Sequence, residues 1–260
     1  DIAVRSVRPF WKKLKHLRWF SFIGMQKRVS RTLRRIITVS ECAREDIARD
    51  FRIPRERFAV VPNGINTKLF YPIPEIQREP GRIIVTNSSD VPLKGLYYLL
   101  HAVAEIAKKR TIRLVVVGTP KKKGGISRLI RRLGIGDLIV FTGRISDAEF
   151  VRQYARAAMA VISSVYEGFG LPAGEAMACG VPVISTTGGA LPEVVGDAGI
   201  LVPPKNHMSL ARAIMDMLDH PEHANKLGHR GYQRVQQHFT WQRAAEKTVD
   251  AYRETILDYR

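Results

Sequence analysis

Short runs of apolar and β-branched residues recur along the chain from residue 36, and segments of helical character separate most of them. The runs cover residues 36–39, 58–61, 82–86, 112–118, 138–141, 159–163 and 182–185. A strand that is buried on both faces needs apolar residues at successive positions, whereas a half-exposed strand alternates. The pattern therefore predicts repeated strand–helix–strand units and an α/β fold with a doubly wound parallel sheet.

A proline-rich stretch interrupts this pattern after the second run. Residues 62–81 hold four prolines and two glycines without helical or strand periodicity, which is typical of a linker. We predict a partial N-terminal domain over residues 1–62, a linker over 63–81, an α/β domain over 82–240 and a final helix over 241–260. Only one strand–helix–strand unit precedes the linker, so we expect the first 62 residues to be the end of a larger domain.

Positive charge is concentrated at the start of the chain. The net charge is +18, and residues 1–62 carry 16 Lys and Arg against 6 Asp and Glu. No acidic residue lies between Ile2 and Ser40, whereas eleven basic residues and several Trp and Phe do. Residues 5–35 are therefore predicted to meet an anionic membrane surface or a phosphorylated partner, the alternative being a solvated basic helix whose aromatic residues pack inward. No nucleic-acid-binding motif accompanies the charge, so we expect no nucleic-acid partner.

The cysteines and histidines give no sign of a disulfide framework or a metal site. Cys42 and Cys179 lie far apart, and the seven histidines are scattered without ligand spacing. We expect free thiols in a reducing cytoplasm, no metal and no cofactor. Because no apolar run approaches the eighteen or so residues of a membrane span, the basic segment would meet a membrane only at its surface, on the inner face.

The stretch YEGFGLPAGEAMACG, residues 166–180, follows a predicted strand and indicates a ligand site. Pro172 suits the first turn of a helix, and Gly168 and Gly170 allow positive φ in the turn before it. The unpaired N–H groups and the positive dipole end of a helix start bind phosphate. This helix start is also predicted to lie at the carboxyl end of a parallel strand, where ligands bind in open α/β sheets.

Two glutamates flank the turn. Glu167 precedes it, and Glu175 lies about one helical turn into the helix. A carboxylate only accepts hydrogen bonds, so it suits the vicinal hydroxyls of a sugar better than a phosphate. The pattern fits a nucleotide sugar, whose diphosphate has a sugar on either side. The alternative is that both acids only partner the helix dipole.

The segment EGFGLPAGEAMACGVPVISTTGGALPEVV resembles the signature of the retaining GT-B glycosyltransferases (glycosyl transferases group 1, family 4), which include phosphatidylinositol mannosyltransferases and sucrose synthases. Their motif of two glutamates separated by seven residues fits Glu167 and Glu175. The segments ITVSECAREDIARDF, VVPNGINTKLF and PLKGLYYLLHAVAEI also resemble parts of the family, and the likeness covers nearly the whole chain from about residue 30. The resemblance implies a Rossmann-like C-terminal domain, a partial Rossmann-like N-terminal domain and a final helix that returns to the latter.

The resemblance also implies roles for individual residues. Lys94 would meet the donor diphosphate as a compact positive charge, and Glu167 would orient the transferred sugar, so both are assigned to catalysis. Glu175 would bind the ribose hydroxyls of the donor. Taken without the resemblance, Lys94 is an exposed lysine beside a helix start.

Further donor contacts follow from the same resemblance. The backbone at Phe169, Gly170 and Leu171 would hold the distal phosphate, and Gly143 and Arg144 would line the base pocket. Arg144 taken alone is equally a surface arginine. These positions complete a predicted site for a nucleotide-sugar donor.

One position departs from the family pattern. The arginine that relatives pair with the lysine falls on Ser89, so half of the usual cationic clamp is absent. Either Lys94 and the helix start bind the diphosphate without it, or the donor or its pose differs. Asp90 in the same loop is expected to contact a sugar hydroxyl, the alternative being an ordinary turn residue.

The resemblance implies a retaining glycosyltransferase that moves a hexose from a nucleotide-diphosphate sugar to the hydroxyl of an unidentified acceptor, in lipid-linked or cell-surface glycan synthesis. Since the acceptor side lies on the N-terminal domain, we expect the 260 residues alone to bind nucleotide weakly and to turn over little. Two alternatives stay open. One is a membrane-surface or polyanion-binding module, and the other is a nucleotide-sugar epimerase of similar architecture.

Overall fold

The computed structural model describes residues 22–86, 91–120 and 124–257. A small N-terminal unit pairs strands β1 (Ile36–Thr38) and β2 (Phe58–Val60) in parallel. Two helices belong to this unit, α1 (Phe22–Ser30) and α2 (Glu41–Phe51). Its core is small and consists of Ala48, Ile53 and Phe58 with a few partly buried neighbours.

A six-stranded parallel sheet forms the larger unit. Its strands are β3 (Glu79–Thr86), β4 (Arg113–Val117), β5 (Ile139–Phe141), β6 (Ala157–Ile162), β7 (Val183–Thr186) and β8 (Gly199–Val202). The spatial order is β5-β4-β3-β6-β7-β8, and every neighbouring pair is parallel. The chain therefore builds outward from β3 in one direction and then from β6 in the other, so the order reverses between these two strands.

Helices cover both faces of the sheet, which confirms the predicted doubly wound α/β fold. They are α3 (Leu96–Ala107), α4 (Gly125–Leu133), α5 (Asp147–Arg156), α6 (Leu171–Ala178), α7 (Leu191–Val195), α8 (His207–Asp219) and α9 (Pro221–His238). The last helix, α10 (Trp241–Leu257), adds no residue to the two core clusters of the sheet. Successive residues of β3 show why its sequence is continuously apolar. Ile83 and Val85 enter the core with α3, α4 and α8, whereas Ile84 enters the core with α5, α6 and α7.

The seven predicted strands are all present, with ends that differ by at most three residues. The largest difference is at β3, which begins at Glu79, inside the predicted linker. The strand β8 was not predicted, because its sequence is short and starts with Gly199, a residue type that is uncommon in strands.

The stretch between β2 and β3 lacks regular structure but is packed against the larger unit. Ile65 is 2% exposed and donates its backbone N–H to the Phe239 carbonyl at 2.6 Å. The ring of Phe70 lies edge-on to Tyr154, with 6.2 Å between the ring centroids. From the C-terminal side, Glu254 of α10 pairs with Arg35 of the N-terminal unit. The two units are therefore joined by buried contacts as well as by the chain itself.

The predicted basic surface over residues 5–35 falls outside the described residues up to residue 21, so only its later part can be placed. Among the helices of residues 22–86, 91–120 and 124–257, none combines the length and the apolar character that crossing a bilayer requires.

The loops that follow β3 and β6 touch through backbone atoms. Gly95 has φ 68°, and a Cβ at this position would lie 1.8 Å from the Ser163 carbonyl oxygen. The Val165 N–H donates to the Leu93 carbonyl at 2.7 Å, and the Ser163 hydroxyl donates to the Lys94 carbonyl at 3.1 Å. Only glycine permits this approach, because it combines positive φ with the absence of a side chain.

We predict that Gly95→Ala strongly destabilises the protein, since it adds both backbone strain and a clash with the Ser163 carbonyl. Gly134→Ala is the matched control, because Gly134 has φ 66° but open space around it. The control should lose about 1 kcal/mol from left-handed strain alone, and Gly95→Ala about 3 kcal/mol more. Urea unfolding of both variants measures the difference. Equal losses would show that the two loops do not hold each other as described.

Candidate active site

The candidate site lies where the strand order reverses, at the carboxyl ends of β3 and β6. Ligands in open α/β sheets bind in the crevice at such a point. Lys94 ends a short 3₁₀ turn, Pro92–Lys94, in the loop after β3. Glu167 lies in the loop between β6 and α6. Positions 73 residues apart in sequence thus reach one edge of the sheet.

An ion pair joins the two predicted catalytic residues. The Lys94 Nζ lies 2.8 Å from the Glu167 Oε1, and the Ser164 hydroxyl donates to the same oxygen at 2.6 Å. The Lys94 side chain is 32% exposed and that of Glu167 is 13% exposed. An incoming anion can therefore reach the ammonium group from solvent, while Glu167 stays fixed behind it. The sequence did not predict this ion pair or the hydrogen bond from Ser164 to Glu167.

Backbone hydrogen bonds hold Glu167 in place. Its N–H donates to the Gly188 carbonyl at 3.3 Å, and its carbonyl accepts from the Ala190 N–H at 2.9 Å. Gly188 and Ala190 belong to the segment between β7 and α7, so the loop after β7 supports the main chain of Glu167. Because main-chain atoms make these contacts, the position of Glu167 depends little on neighbouring side chains.

Helix α6 begins with the backbone groups that the sequence assigned to phosphate. Gly170 is its N-cap residue, with φ 108°, and Pro172 lies in the first turn. Within the described residues, the N–H groups of Phe169, Gly170 and Leu171 donate to no protein acceptor. Unpaired amides at a helix start attract anions, so these groups have the chemistry that a phosphate requires.

A small cavity connects these groups. It is lined by Lys94, Glu167, Ser163, Ser164 and Pro172, together with the ends of β3 and β6. The structure therefore brings Lys94, Glu167 and the start of α6 to one place. This arrangement places a positive charge and hydrogen-bond acceptors in one concave site, next to a helix start that has unpaired amides.

Glu175 lies deeper along α6 and does not line this cavity. Burial raises the pKa of its carboxyl to about 7. Its charge contributes to raising the pKa of the buried Tyr154, whose hydroxyl lies 3.4 Å from the Pro172 carbonyl at the cavity wall. Glu175 is thus behind the cavity, and its predicted contact with ribose stays a prediction.

The residues predicted for the base pocket lie at the same edge of the sheet, two strands away from β3. Gly143 has φ 68° and donates its N–H to the Gly118 carbonyl at 3.1 Å. Arg144 is exposed. Ser89 and Asp90 lie outside the described residues. Across the described ranges, no three His, Cys, Asp or Glu side chains gather as a metal site would require, and the expectation of a metal-free reaction stays a prediction.

Two family models match the chain. The one described as Glycosyl transferases group 1 covers residues 73–234. The one described as Glycosyltransferase Family 4 covers residues 5–69. The first match spans more than half of the chain and contains Lys94, Glu167 and Glu175.

Curated relatives match most of the chain. The MMP alpha-(1->4)-mannosyltransferase of Mycolicibacterium hassiacum is 41% identical over 259 residues, which is 98% of this chain and 62% of the relative. The D-inositol 3-phosphate glycosyltransferase of Streptomyces bingchenggensis is 33% identical and matches 87% of this chain and 54% of its own length. The chain therefore spans a little over half the length of these relatives.

Solved structures confirm the predicted GT-B fold. The sucrose-phosphate synthase of Thermosynechococcus elongatus has a TM-score of 0.77 at 30% identity, over 90% of this chain and 61% of that one. Anabaena HepE, in complex with UDP and glucose, has a TM-score of 0.77 at 20% identity, over 88% of this chain and 67% of that one. At the identity of HepE the likeness concerns the fold alone.

We predict that Glu175 makes stability fall as the pH rises. The folded pKa of about 7 lies above the ordinary value of 4.5, so between these values the folded protein holds a proton that the unfolded chain releases. Raising the pH through this window therefore lowers the free energy of unfolding, by up to about 3 kcal/mol. Glu175→Gln should remove that decline, whereas Glu222→Gln, at an exposed position, should keep it. Urea unfolding from pH 4.5 to 8 measures both, and identical pH profiles for parent and Glu175→Gln would contradict the prediction.

Proposed function

This chain belongs to the glycosyl transferases group 1 family, and we propose on that basis that it is the donor-binding part of a retaining glycosyltransferase. The reaction moves a hexose from a nucleoside-diphosphate sugar to an acceptor hydroxyl. The observation that carries the proposal is the convergence of the Lys94 ammonium, the Glu167 carboxylate and the first turn of α6, at Pro172, on one cavity. The unpaired amides of Phe169, Gly170 and Leu171 directly precede Pro172 in the chain.

The diphosphate is the part of the donor that this site suits best. Lys94 supplies a point charge, and the amides of Phe169, Gly170 and Leu171 supply aligned donors at the positive end of α6. Negative charge grows on the diphosphate as the bond to the sugar breaks. Groups that are already in place stabilise that charge without reorganisation, so they lower the barrier to transfer.

Glu167 organises the site in this proposal. Its ion pair with Lys94 holds the ammonium at the cavity before the donor arrives, and a bound diphosphate then shares the ammonium with it. One carboxylate oxygen accepts from both Lys94 and Ser164, which leaves the other oxygen for a sugar hydroxyl. Glu175 binds the ribose from its position behind the cavity, in its ionised form.

The sugar and the acceptor are the least specified parts of the proposal. The relative with 41% identity is a mannosyltransferase, so mannose is the first hexose to test. A second relative acts, by its name, as a D-inositol 3-phosphate glycosyltransferase. We propose a hydroxyl acceptor that the N-terminal unit helps to bind, in the synthesis of a lipid-linked or cell-surface glycan.

We predict that one of UDP, GDP and ADP, or one of their sugars, binds in isothermal titration calorimetry. Lys94→Ala should weaken the binding at least tenfold, because it removes the point charge at the diphosphate. Lys108→Ala is the matched control, since Lys108 is exposed and pairs with Glu105 at the same distance of 2.8 Å. Glu175→Ala should also weaken binding through loss of the ribose contact.

Each outcome of that titration is informative. Binding of none of the three nucleotides or their sugars would refute the proposed function. Equal weakening by Lys94→Ala and Lys108→Ala would refute the diphosphate site. Unchanged binding by Glu175→Ala would refute the ribose assignment alone.

The described part of α1 favours a second candidate function, contact with an anionic membrane surface. Phe22, Met25 and Val29 are spaced by three and four residues on one face of the helix and are 42%, 62% and 50% exposed. Arg28 lies beside this face, whereas Lys27 lies on the other side of the helix, with its Nζ 5.4 Å from the centre of the Phe51 ring. An apolar face flanked by cations is typical of helices that lie in the headgroup region of a bilayer.

We predict that the chain sediments with vesicles rich in anionic lipid and not with neutral vesicles, since both the cations and the apolar face contribute. Met25→Asp should reduce the bound fraction several-fold by placing charge on the apolar face. Met208→Asp, at an exposed methionine of α8, is the matched control and should bind as the parent does. Sedimentation that is equal for Met25→Asp and the parent would exclude this face of α1 from membrane contact.

A further inference from the structure

At the start of helix α2 in the N-terminal unit, two backbone N–H groups donate hydrogen bonds to a carboxylate of the larger unit. The two oxygens of Glu193 accept the N–H groups of Glu41, at 2.8 Å, and Cys42, at 2.7 Å. The first four N–H groups of a helix have no acceptor within the helix. A carboxylate that bonds two of them also balances the positive end of the helix dipole, so the two units are joined by charge-assisted hydrogen bonds.

Ser40 links the same helix directly to the candidate active site. Its hydroxyl accepts the Ala43 N–H at 3.0 Å, which caps α2, and donates to the Gly168 carbonyl at 2.7 Å. Ser40 is 2% exposed, so both bonds are shielded from water. Gly168 directly follows Glu167, and the cap of α2 therefore fixes the main chain beside that residue.

A further hydrogen bond ties Tyr166, the residue that precedes Glu167, to α2. The Tyr166 hydroxyl donates to the Asp46 Oδ2 at 2.6 Å, and this bond is the main cause of a lowered pKa at Asp46. Tyr166 and Gly168, which flank Glu167, are thus both tied to the first part of the N-terminal unit's second helix. Displacement of α2 would release the main chain on both sides of Glu167.

Other hydrogen bonds fix the position of Glu193 relative to Glu167. It lies on α7, and the residue before this helix, Ala190, donates to the Glu167 carbonyl at 2.9 Å. The Arg234 guanidinium donates to the carbonyls of Glu193 and Val194, each at 2.8 Å, and anchors α7 from the opposite side. The Glu193 carboxylate is therefore presented to α2 from a fixed place relative to the site.

We propose that Glu193 is a positioning residue, which locks the start of α2 onto the turn at residues 166–170 so that docking of the N-terminal unit and donor binding favour each other. This inference rests on the proposed function, since it requires an anion to bind at Lys94 and the start of α6. A turn that α2 already holds has less conformational freedom to lose when the diphosphate binds. By linkage, donor binding must then strengthen the contact between α2 and Glu193 by the same factor.

Hydrogen exchange at the Glu41 and Cys42 amides tests the inference on the whole chain. These amides are at a helix start and owe their protection to Glu193, so Glu193→Ala should speed their exchange at least tenfold. UDP, GDP or ADP, whichever binds in calorimetry, should slow their exchange at least threefold in the parent. In Glu193→Ala the nucleotide should have no effect there and should bind about threefold to tenfold more weakly.

Matched variants separate positioning from general loss of structure. Glu222→Ala removes an exposed acid from the first turn of α9 and should leave exchange and binding unchanged. Ser146→Ala removes a helix cap that serves α5 alone, whereas Ser40→Ala removes a cap that also holds Gly168. Only Ser40→Ala should weaken nucleotide binding. Tyr166→Phe removes the hydroxyl that bonds Asp46 and also interacts with the Cys42 thiol, at a position 41% exposed, so it tests the coupling even if Glu193→Ala does not fold.

The outcomes distinguish this inference from the proposed function. If none of the nucleotides binds the parent chain, the proposed function fails and the inference fails with it. If a nucleotide binds but exchange at Glu41 and Cys42 does not respond to it, the inference alone is overturned. It is also overturned if Glu193→Ala and Tyr166→Phe bind the nucleotide as tightly as the parent.

Discussion

The ion pair between Lys94 and Glu167 depends on the close approach of two loops, and the rest of the site is arranged around it. The loops after β3 and β6 meet because the strand order reverses between these strands. Main-chain bonds near Gly95 and Val165 fix their separation, so the ammonium and the carboxylate face each other at 2.8 Å. Helix α6 starts from the same loop and adds its free amides. The positions of the ammonium, the carboxylate and the amides are thus set by the sheet and its loops rather than by flexible side chains.

Local sequence patterns were sufficient for the elements of the fold and for the position of the turn before α6. Continuously apolar runs revealed the buried parallel strands, because burial on both faces leaves no polar positions in them. Pro172 and the glycines before it marked the start of α6 within one residue. These features depend on residues that are near one another in sequence. The edge strand β8 was missed because it is short and begins with a glycine, which is uncommon in strands.

Contacts between distant segments were not accessible to such patterns. Nothing in the sequence near Glu167 indicates that its carboxylate pairs with Lys94, or that Glu193 meets the start of α2. Glu175 shows a related difficulty, since its spacing from Glu167 fits a family motif but did not reveal the burial that raises the pKa of its carboxyl to about 7. Spacing along a helix fixes the direction of a side chain only roughly, and packing decides what the side chain reaches. The resemblance to a family supplied roles that local chemistry left open.

The backbone contact between Gly95 and Ser163 also bears on how such a protein can diverge. Because the closest approach of the two loops is between main-chain atoms, side chains that point away from this contact do not set the distance between the loops. A lineage can therefore accumulate substitutions on the surrounding walls and change which molecules fit there. The glycine itself is barred from drifting, since even a methyl group would force the loops apart. The close contact between Gly95 and the Ser163 carbonyl thus leaves the neighbouring surface free to change.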